Sequence, residues 1–94
     1  MLSAIILGAH MGKKVFIGGL SYQTSEQSLL EHLQKVGHVT SIRIITERET
    51  GKSKGFGFAT FGDDASAQAA IETLNGQEFE GRHIGVKPYI EKQR

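Results

Sequence analysis

Cysteine is absent from this chain, and there is a single proline. Without cysteine there is no disulfide framework, no thiolate nucleophile and no cysteine-ligated zinc. Charge of one sign is also missing. Eleven Lys and Arg against ten Asp and Glu leave a net charge of +1, which alone points neither toward nor away from a nucleic-acid partner. No long hydrophobic run exists. The apolar stretch within residues 1–10 is too short to span a membrane and lacks the cationic start of a secretory signal, so no membrane partner is expected. His10, His32, His38 and His83 have no ligand spacing, and no acid, base and nucleophile set is visible. The chain is therefore expected not to be an enzyme and to hold neither metal nor cofactor. His32 is expected on a helix surface. Gly51-Lys52-Ser53 looks like the end of a phosphate-binding loop, but Thr46 stands where the first glycine is needed and a strand follows.

What remains is a chain of 94 residues with 38% hydrophobic and 22% charged content, an ordinary balance for one globular domain. Glycine is plentiful, at 12 residues. The stretch that stands out is Lys54-Gly55-Phe56-Gly57-Phe58-Ala59-Thr60-Phe61. Strand side chains alternate between faces. As a strand, this octet puts Lys54, Phe56, Phe58 and Thr60 on one face, and Gly55, Gly57, Ala59 and Phe61 on the other. Two rings and a cation on one surface suit stacked bases and phosphate.

Residues 1–12 read as a cloning remnant ending at Gly8-Ala9-His10, or as a disordered leader, with a natural start at Met11. The competing reading is an apolar segment that packs on the domain or self-associates. The domain is placed at 13–90, and 91–94 is a polar tail. Lys14 to Leu20 is β-rich, with Val15 and Ile17 on one face and Lys14, Phe16 and Gly18 on the other. Gly18 and Gly19 leave space beside the Phe16 ring or permit a tight exit. Thr24-Ser25-Glu26-Gln27 fits a capping box with Thr24 as N-cap. Leu29, Leu30, Leu33 and Val36 then form one face of a helix over about 25–36, stopped by Gly37. Residues 39–47 form a second strand, with Ile42 and Ile44 opposed to Ser41, Arg43 and Ile45. A polar loop leads to the octet strand.

Asp63 or Asp64 caps a second helix with Ala67, Ala70, Ile71 and Leu74 as its apolar stripe, ended by Asn75-Gly76. A tight turn is expected at Glu80-Gly81. A last strand follows, with Ile84 and Val86 inward and His83, Gly85, Lys87 and Tyr89 opposite; Pro88 ends it or marks an edge.

The order β-α-β-β-α-β gives an α+β, ferredoxin-like sandwich: a four-stranded antiparallel sheet with two helices on one face. Val15, Ile17, Ile42, Ile44, Ala59, Phe61, Ile84 and Val86 must face the helices. Phe16, Phe56 and Phe58 must then face outward, because a one-residue slip would invert every side chain. Three outward phenylalanines make an apolar patch that a monomer rarely keeps without purpose. Helical stretches carry Glu26, Glu31, Asp63, Asp64 and Glu72, while strands and loops carry most of the cations; a neutral total can hide a basic face and an acidic back, and the alternative reading is scattered solvated charge.

At 54–61 the octet resembles the first ribonucleoprotein motif of the RNA recognition motif family. Val-Phe-Ile-Gly-Gly-Leu at 15–20 is similar to the second, and the resemblance covers 13 to about 90. Gly19 stands where many members have asparagine, and the Gly-Gly-Leu variant resembles the heterogeneous nuclear ribonucleoprotein A/B and Musashi branch. The resemblance implies that Phe16 and Phe58 each stack a base, that Phe56 inserts against sugars or stacks between nucleotides, that Lys54 meets a phosphate, and that residues near 87–90 read base edges. Face and charge add Lys14, Arg43, Lys52 and Lys87. Arg43 and Lys52 are equally readable as solvated charge. Tyr89 either extends the platform or packs on the sheet end. The expected partner is single-stranded RNA, with single-stranded DNA as a second candidate, bound by an intracellular monomer in nucleus, cytoplasm or organelle. The alternative is a protein-interaction module of the same fold; members of that kind typically lose the sheet aromatics, which this chain keeps.

Overall fold

The computed structural model describes residues 13–89. The expected leader at 1–12, residue 90 and the tail at 91–94 lie outside the described residues. The elements are β1 (Lys14–Gly18), α1 (Glu26–Gln34), β2 (Val39–Thr46), β3 (Ser53–Phe61), α2 (Asp64–Leu74), β4 (Glu78–Phe79), β5 (Arg82–His83) and β6 (Gly85–Pro88). One antiparallel sheet has the spatial order β2-β3-β1-β6, so the two strands carrying the phenylalanines are central. Both helices cover one face. Val15, Ile17, Leu29, Leu33, Ala59, Phe61, Ala70, Ile84 and Val86 are buried between helices and sheet.

The inward face is held tight by glycine as much as by apolar bulk. A Cβ at Gly57 would collide with the Arg43 carbonyl oxygen and come within 3.0 Å of Ile44 Cα, so β2 and β3 can approach here only if position 57 has no side chain. Along β2, strict alternation would put Val39 with Ser41 and Arg43. A bulge between Val39 and Ser41 shifts the register, and Val39 joins Ile42 and Ile44 on the inner side. On each edge strand a side chain takes up one backbone N–H. Glu26 of α1 accepts a hydrogen bond from the Ile44 N–H at 2.9 Å, and Asn75 Oδ1 accepts from Val86 N–H at 2.9 Å. Pro88 is the last residue of edge strand β6.

Several local expectations are corrected. The N-cap of α1 is Ser25, whose hydroxyl accepts from Ser28 N–H at 3.1 Å; the helix ends at Gln34. Thr24 is buried instead, and its hydroxyl donates to Glu80 Oε1 at 2.7 Å. Gly37 is not a left-handed cap. A Cβ there would strike the Ser66 side chain, so its role is to let the chain leaving α1 pass close to α2. His32 is half-buried rather than on the surface: its ring stacks on Phe79 at 4.3 Å, and Nε2 is buried without a hydrogen-bond partner among the described residues. The second helix is capped by Asp63, which accepts from Ser66 N–H at 2.7 Å; that bond holds the Asp63 carboxyl below its ordinary pKa.

β4 and β5 form a small second sheet that the sequence pattern does not reveal. Glu80 (φ 53°) and Gly81 (φ 88°) both have positive φ, as a two-residue type I′ hairpin turn requires. His83 belongs to this hairpin and not to the open face of the main sheet; its Nδ1 lies 3.0 Å from the Gly76 carbonyl oxygen.

Candidate nucleic-acid interface

The uncovered face of the sheet is organised as transverse rows set by strand register. Lys87 on β6 pairs with Phe16 on β1, Phe16 with Phe58 on β3, and Phe58 with Arg43 on β2. One row thus runs cation, ring, ring, cation across all four strands. The next row holds Lys14 opposite Thr60, with Ser41 beyond it and Tyr89 beside Lys14, whose carbonyl accepts from Tyr89 N–H at 3.0 Å. Phe56 lies two residues before Phe58 on the same face of β3.

The rings form a continuous surface. Phe16 lies 5.7 Å from Phe56 and 5.7 Å from Phe58, Phe56 and Phe58 are 6.5 Å apart, and Phe58 meets Tyr89 edge-on at 4.8 Å. These separations fall within the range favoured by aromatic pairs. All four rings are half-buried, supported from below and open above. Gly18 supports one of them from the side: a Cβ there would sit 2.9 Å from Phe16 Cε2, so the ring lies against bare backbone. Two ammonium groups lie over these rings. Lys87 Nζ is 5.5 Å from the Phe16 centroid, and Lys14 Nζ is 5.1 Å from Tyr89 and 5.7 Å from Phe58.

Of the residues expected from sequence, the structure gathers Phe16, Phe56, Phe58, Tyr89, Lys14 and Lys87 on one platform, with Arg43 flanking it through its pairing with Phe58. Lys52 and Lys54 lie apart, at the end of the sheet where β3 begins. There they line a groove with a residue the sequence reading passed over, Tyr22. Among the described residues Tyr22 is the one exposed large hydrophobic side chain, at 75% exposure. Its only sequence signal is an aromatic in a turn between a strand and a helix, where no periodicity assigns a face.

The family model described as RNA recognition motif matches residues 15–85. The chain belongs to the RNA recognition motif family. The domain is 47% identical over 78 residues to glycine-rich RNA-binding protein 2, mitochondrial, of Arabidopsis thaliana, covering 83% of this chain and 49% of that protein. It is 46% identical over 78 residues to a glycine-rich RNA-binding protein of Daucus carota, covering 83% and 50%. The chain thus spans about half the length of these relatives. Among solved structures, RNA Binding Protein PG1 is similar at TM-score 0.82 and 44% identity, covering 88% of this chain and all of that one. The Rna15 RNA recognition motif with bound RNA (GU) is similar at TM-score 0.76 and 28% identity, covering 83% of each chain.

These relatives are plant glycine-rich RNA-binding proteins, not members of the ribonucleoprotein A/B and Musashi branch that the Gly-Gly-Leu string suggested. The structure explains why that string discriminates poorly. Gly19 has φ +74°, and a Cβ there would lie 2.9 Å from the His83 carbonyl oxygen. Glycine takes this backbone conformation without strain and leaves that space clear. In this chain glycine at 19 is thus required by the local backbone, and the string alone does not assign a branch.

Proposed function

We propose that this domain binds single-stranded RNA, without catalysis, on the open face of its sheet. The observation that carries the reading is the row Lys87–Phe16–Phe58–Arg43, extended by Phe56, Tyr89 and Lys14, on the sheet face that neither α1 nor α2 covers. In this reading Phe16 and Phe58 each stack a base, Phe56 stacks or wedges against a sugar, Tyr89 extends the platform, and Lys14, Lys54, Lys87, Arg43 and Lys52 meet phosphates or base edges.

Relative magnitudes make the exchange favourable. A base arriving on Phe16 displaces the Lys87 ammonium from that ring. An exposed cation–π contact is worth about 0.5–1 kcal/mol, against roughly 1–3 kcal/mol for a base–aromatic stack. The displaced ammonium stays within reach of the incoming phosphate. Stacking tolerates either sugar, so single-stranded DNA is a weaker second ligand, and ribose hydroxyl contacts favour RNA. The domain acts as a monomer inside the cell, in nucleus, cytoplasm or organelle; the Arabidopsis relative named above is itself described as mitochondrial. The glycine-rich relatives support placing the chain with them rather than with the Musashi branch.

The test is an equilibrium titration with random-sequence single-stranded RNA, repeated with duplex RNA and at several salt concentrations. Tighter binding of the single strand is expected. The logarithm of affinity should fall against the logarithm of salt with a slope of about −1.4 to −2.8, for two to four phosphates at about −0.7 each. Preference for the duplex, or a slope near zero, would overturn the reading.

A further inference from the structure

The four strands of the main sheet read Lys-Val-Phe-Ile-Gly, Val-Thr-Ser-Ile-Arg-Ile-Ile-Thr, Ser-Lys-Gly-Phe-Gly-Phe-Ala-Thr-Phe and Gly-Val-Lys-Pro. None of them contains Asp, Glu, Asn or Gln. The central strands β1 and β3 are paired on both sides, so the ladder uses their backbone polar groups. A base lying on Phe16 or Phe58 therefore meets side chains, and the charged ones in the row, Lys87 and Arg43, are donors only. Bases differ in what their edges ask for. Guanine presents O6 and N7, two adjacent acceptors that suit a guanidinium. Adenine and cytosine present an exocyclic amino group, which suits the acceptors of Asn, Gln, Asp or Glu.

Phe58 has the more discriminating neighbour. Its ring is bordered by Phe16 at 5.7 Å, Phe56 at 6.5 Å and Tyr89 at 4.8 Å. On the β2 side its cross-strand partner is Arg43, which is exposed. Side chains paired in this way have Cβ atoms about 4.5–5.5 Å apart, so the guanidinium reaches the rim of a base on Phe58. The Arg43 backbone is held from both sides. Gly57 lets β2 press on β3, since a Cβ there would collide with the Arg43 carbonyl oxygen, and Glu26 accepts from the next N–H, that of Ile44, at 2.9 Å. The Lys87 ammonium beside Phe16 is a point charge without a fork, so it selects less sharply. Resting on the platform reading above, we propose that Arg43 is a specificity-determining residue that makes the position on Phe58 a guanine subsite, its guanidinium donating to O6 and N7 of the stacked base. Adenine in the same place sets its amino group against the guanidinium, donor against donor, and no strand residue offers a carboxylate or amide to relieve it.

The experiment measures fluorescence anisotropy with four labelled RNA pentanucleotides, UUGUU, UUAUU, UUCUU and UUUUU. Wild type should bind UUGUU about tenfold more tightly than UUAUU or UUCUU, as one bidentate base contact provides. Glutamine carries a donor and an acceptor and matches adenine N6 and N7, so Arg43→Gln should bind UUAUU at least as tightly as UUGUU. Arg43→Lys keeps the charge and lacks the fork, so it should lose most of the guanine preference with the salt dependence unchanged. Arg43 is exposed on an edge strand, and circular dichroism verifies that its variants keep the fold. An arginine that met only phosphate would behave differently: Arg43→Lys would be silent, Arg43→Gln would weaken all four probes alike, and the proposal would fall. It also falls if wild type binds the four probes equally, or if the guanine preference survives Arg43→Gln; in either case loss of binding in the Phe56→Ala, Phe58→Ala double variant would leave the platform standing. Should that double variant bind as wild type, the platform fails and the guanine subsite fails with it.

Discussion

The two faces of the sheet are built from the same strands, yet they use aromatic residues and glycine in opposite ways. On the inner face one ring, Phe61, is fully buried, and Gly57 is glycine because a neighbouring backbone occupies the space of a side chain. On the outer face four rings are only half-buried, and Gly18 is glycine because a ring occupies that space. The inner face has used its apolar surface for stability. The outer face leaves its apolar surface open, where the proposed RNA would stack. Substitutions of the same chemical kind should therefore act on different properties according to the face they touch.

The largest contrast concerns the rings. Phe56→Ala with Phe58→Ala should weaken RNA binding by about 2–6 kcal/mol, from two stacks at roughly 1–3 kcal/mol each, while the melting temperature stays close to wild type. Phe61→Ala should instead destabilise the fold by about 3–5 kcal/mol, and the fraction still folded should bind RNA as before. Denaturant melts paired with fluorescence anisotropy separate the two. If the outer double variant unfolds, or Phe61→Ala weakens binding in its folded fraction, the division between faces breaks down.

A smaller contrast concerns the glycines. Gly57→Ala forces β2 away from β3 and should cost about 1–3 kcal/mol of stability, as overpacking does. Gly18→Ala meets only a ring that can tilt, so stability should change little. The tilt should lower RNA affinity several-fold, because Phe16 no longer lies level with Phe58. Equal stability losses in the two variants would show that the outer ring is as immovable as the inner backbone.

The smallest effect is expected far from the platform. Burial first, and then the nearby Lys35 charge, lower the His32 pKa below its ordinary value, with Glu80 opposing them. Between the lowered value and the ordinary one the unfolded chain binds more protons than the folded chain, so stability falls as pH drops through that interval and is intact above it. Between pH 7 and pH 5 the wild-type melting temperature should fall more than that of His32→Gln. An identical fall in both would place the pH sensitivity elsewhere.

The sequence shows some of these features and hides others, for physical reasons. The outward direction of Phe16, Phe56 and Phe58 was legible because strand alternation has a period of two and the helix stripes fix which set is inside. The pairing of Phe58 with Arg43 was not, since it depends on register and on the bulge beside Val39. The first cap was misplaced by one residue because Thr24 and Ser25 both fit an N-cap, and only tertiary contact with Glu80 draws Thr24 inward. Strands of two residues, β4 and β5, are too short for any periodicity, so their hairpin and the docking of His32 on Phe79 were hidden with them.

The most direct test of the central claim is an amide chemical-shift titration of the isotope-labelled chain with random-sequence single-stranded RNA. The account predicts that the largest shifts fall on the central strands at Phe16, Phe56 and Phe58 and on Lys87 and Tyr89, with α1 and α2 nearly silent. Shifts concentrated on the two helices, with β1 and β3 unmoved, would contradict it.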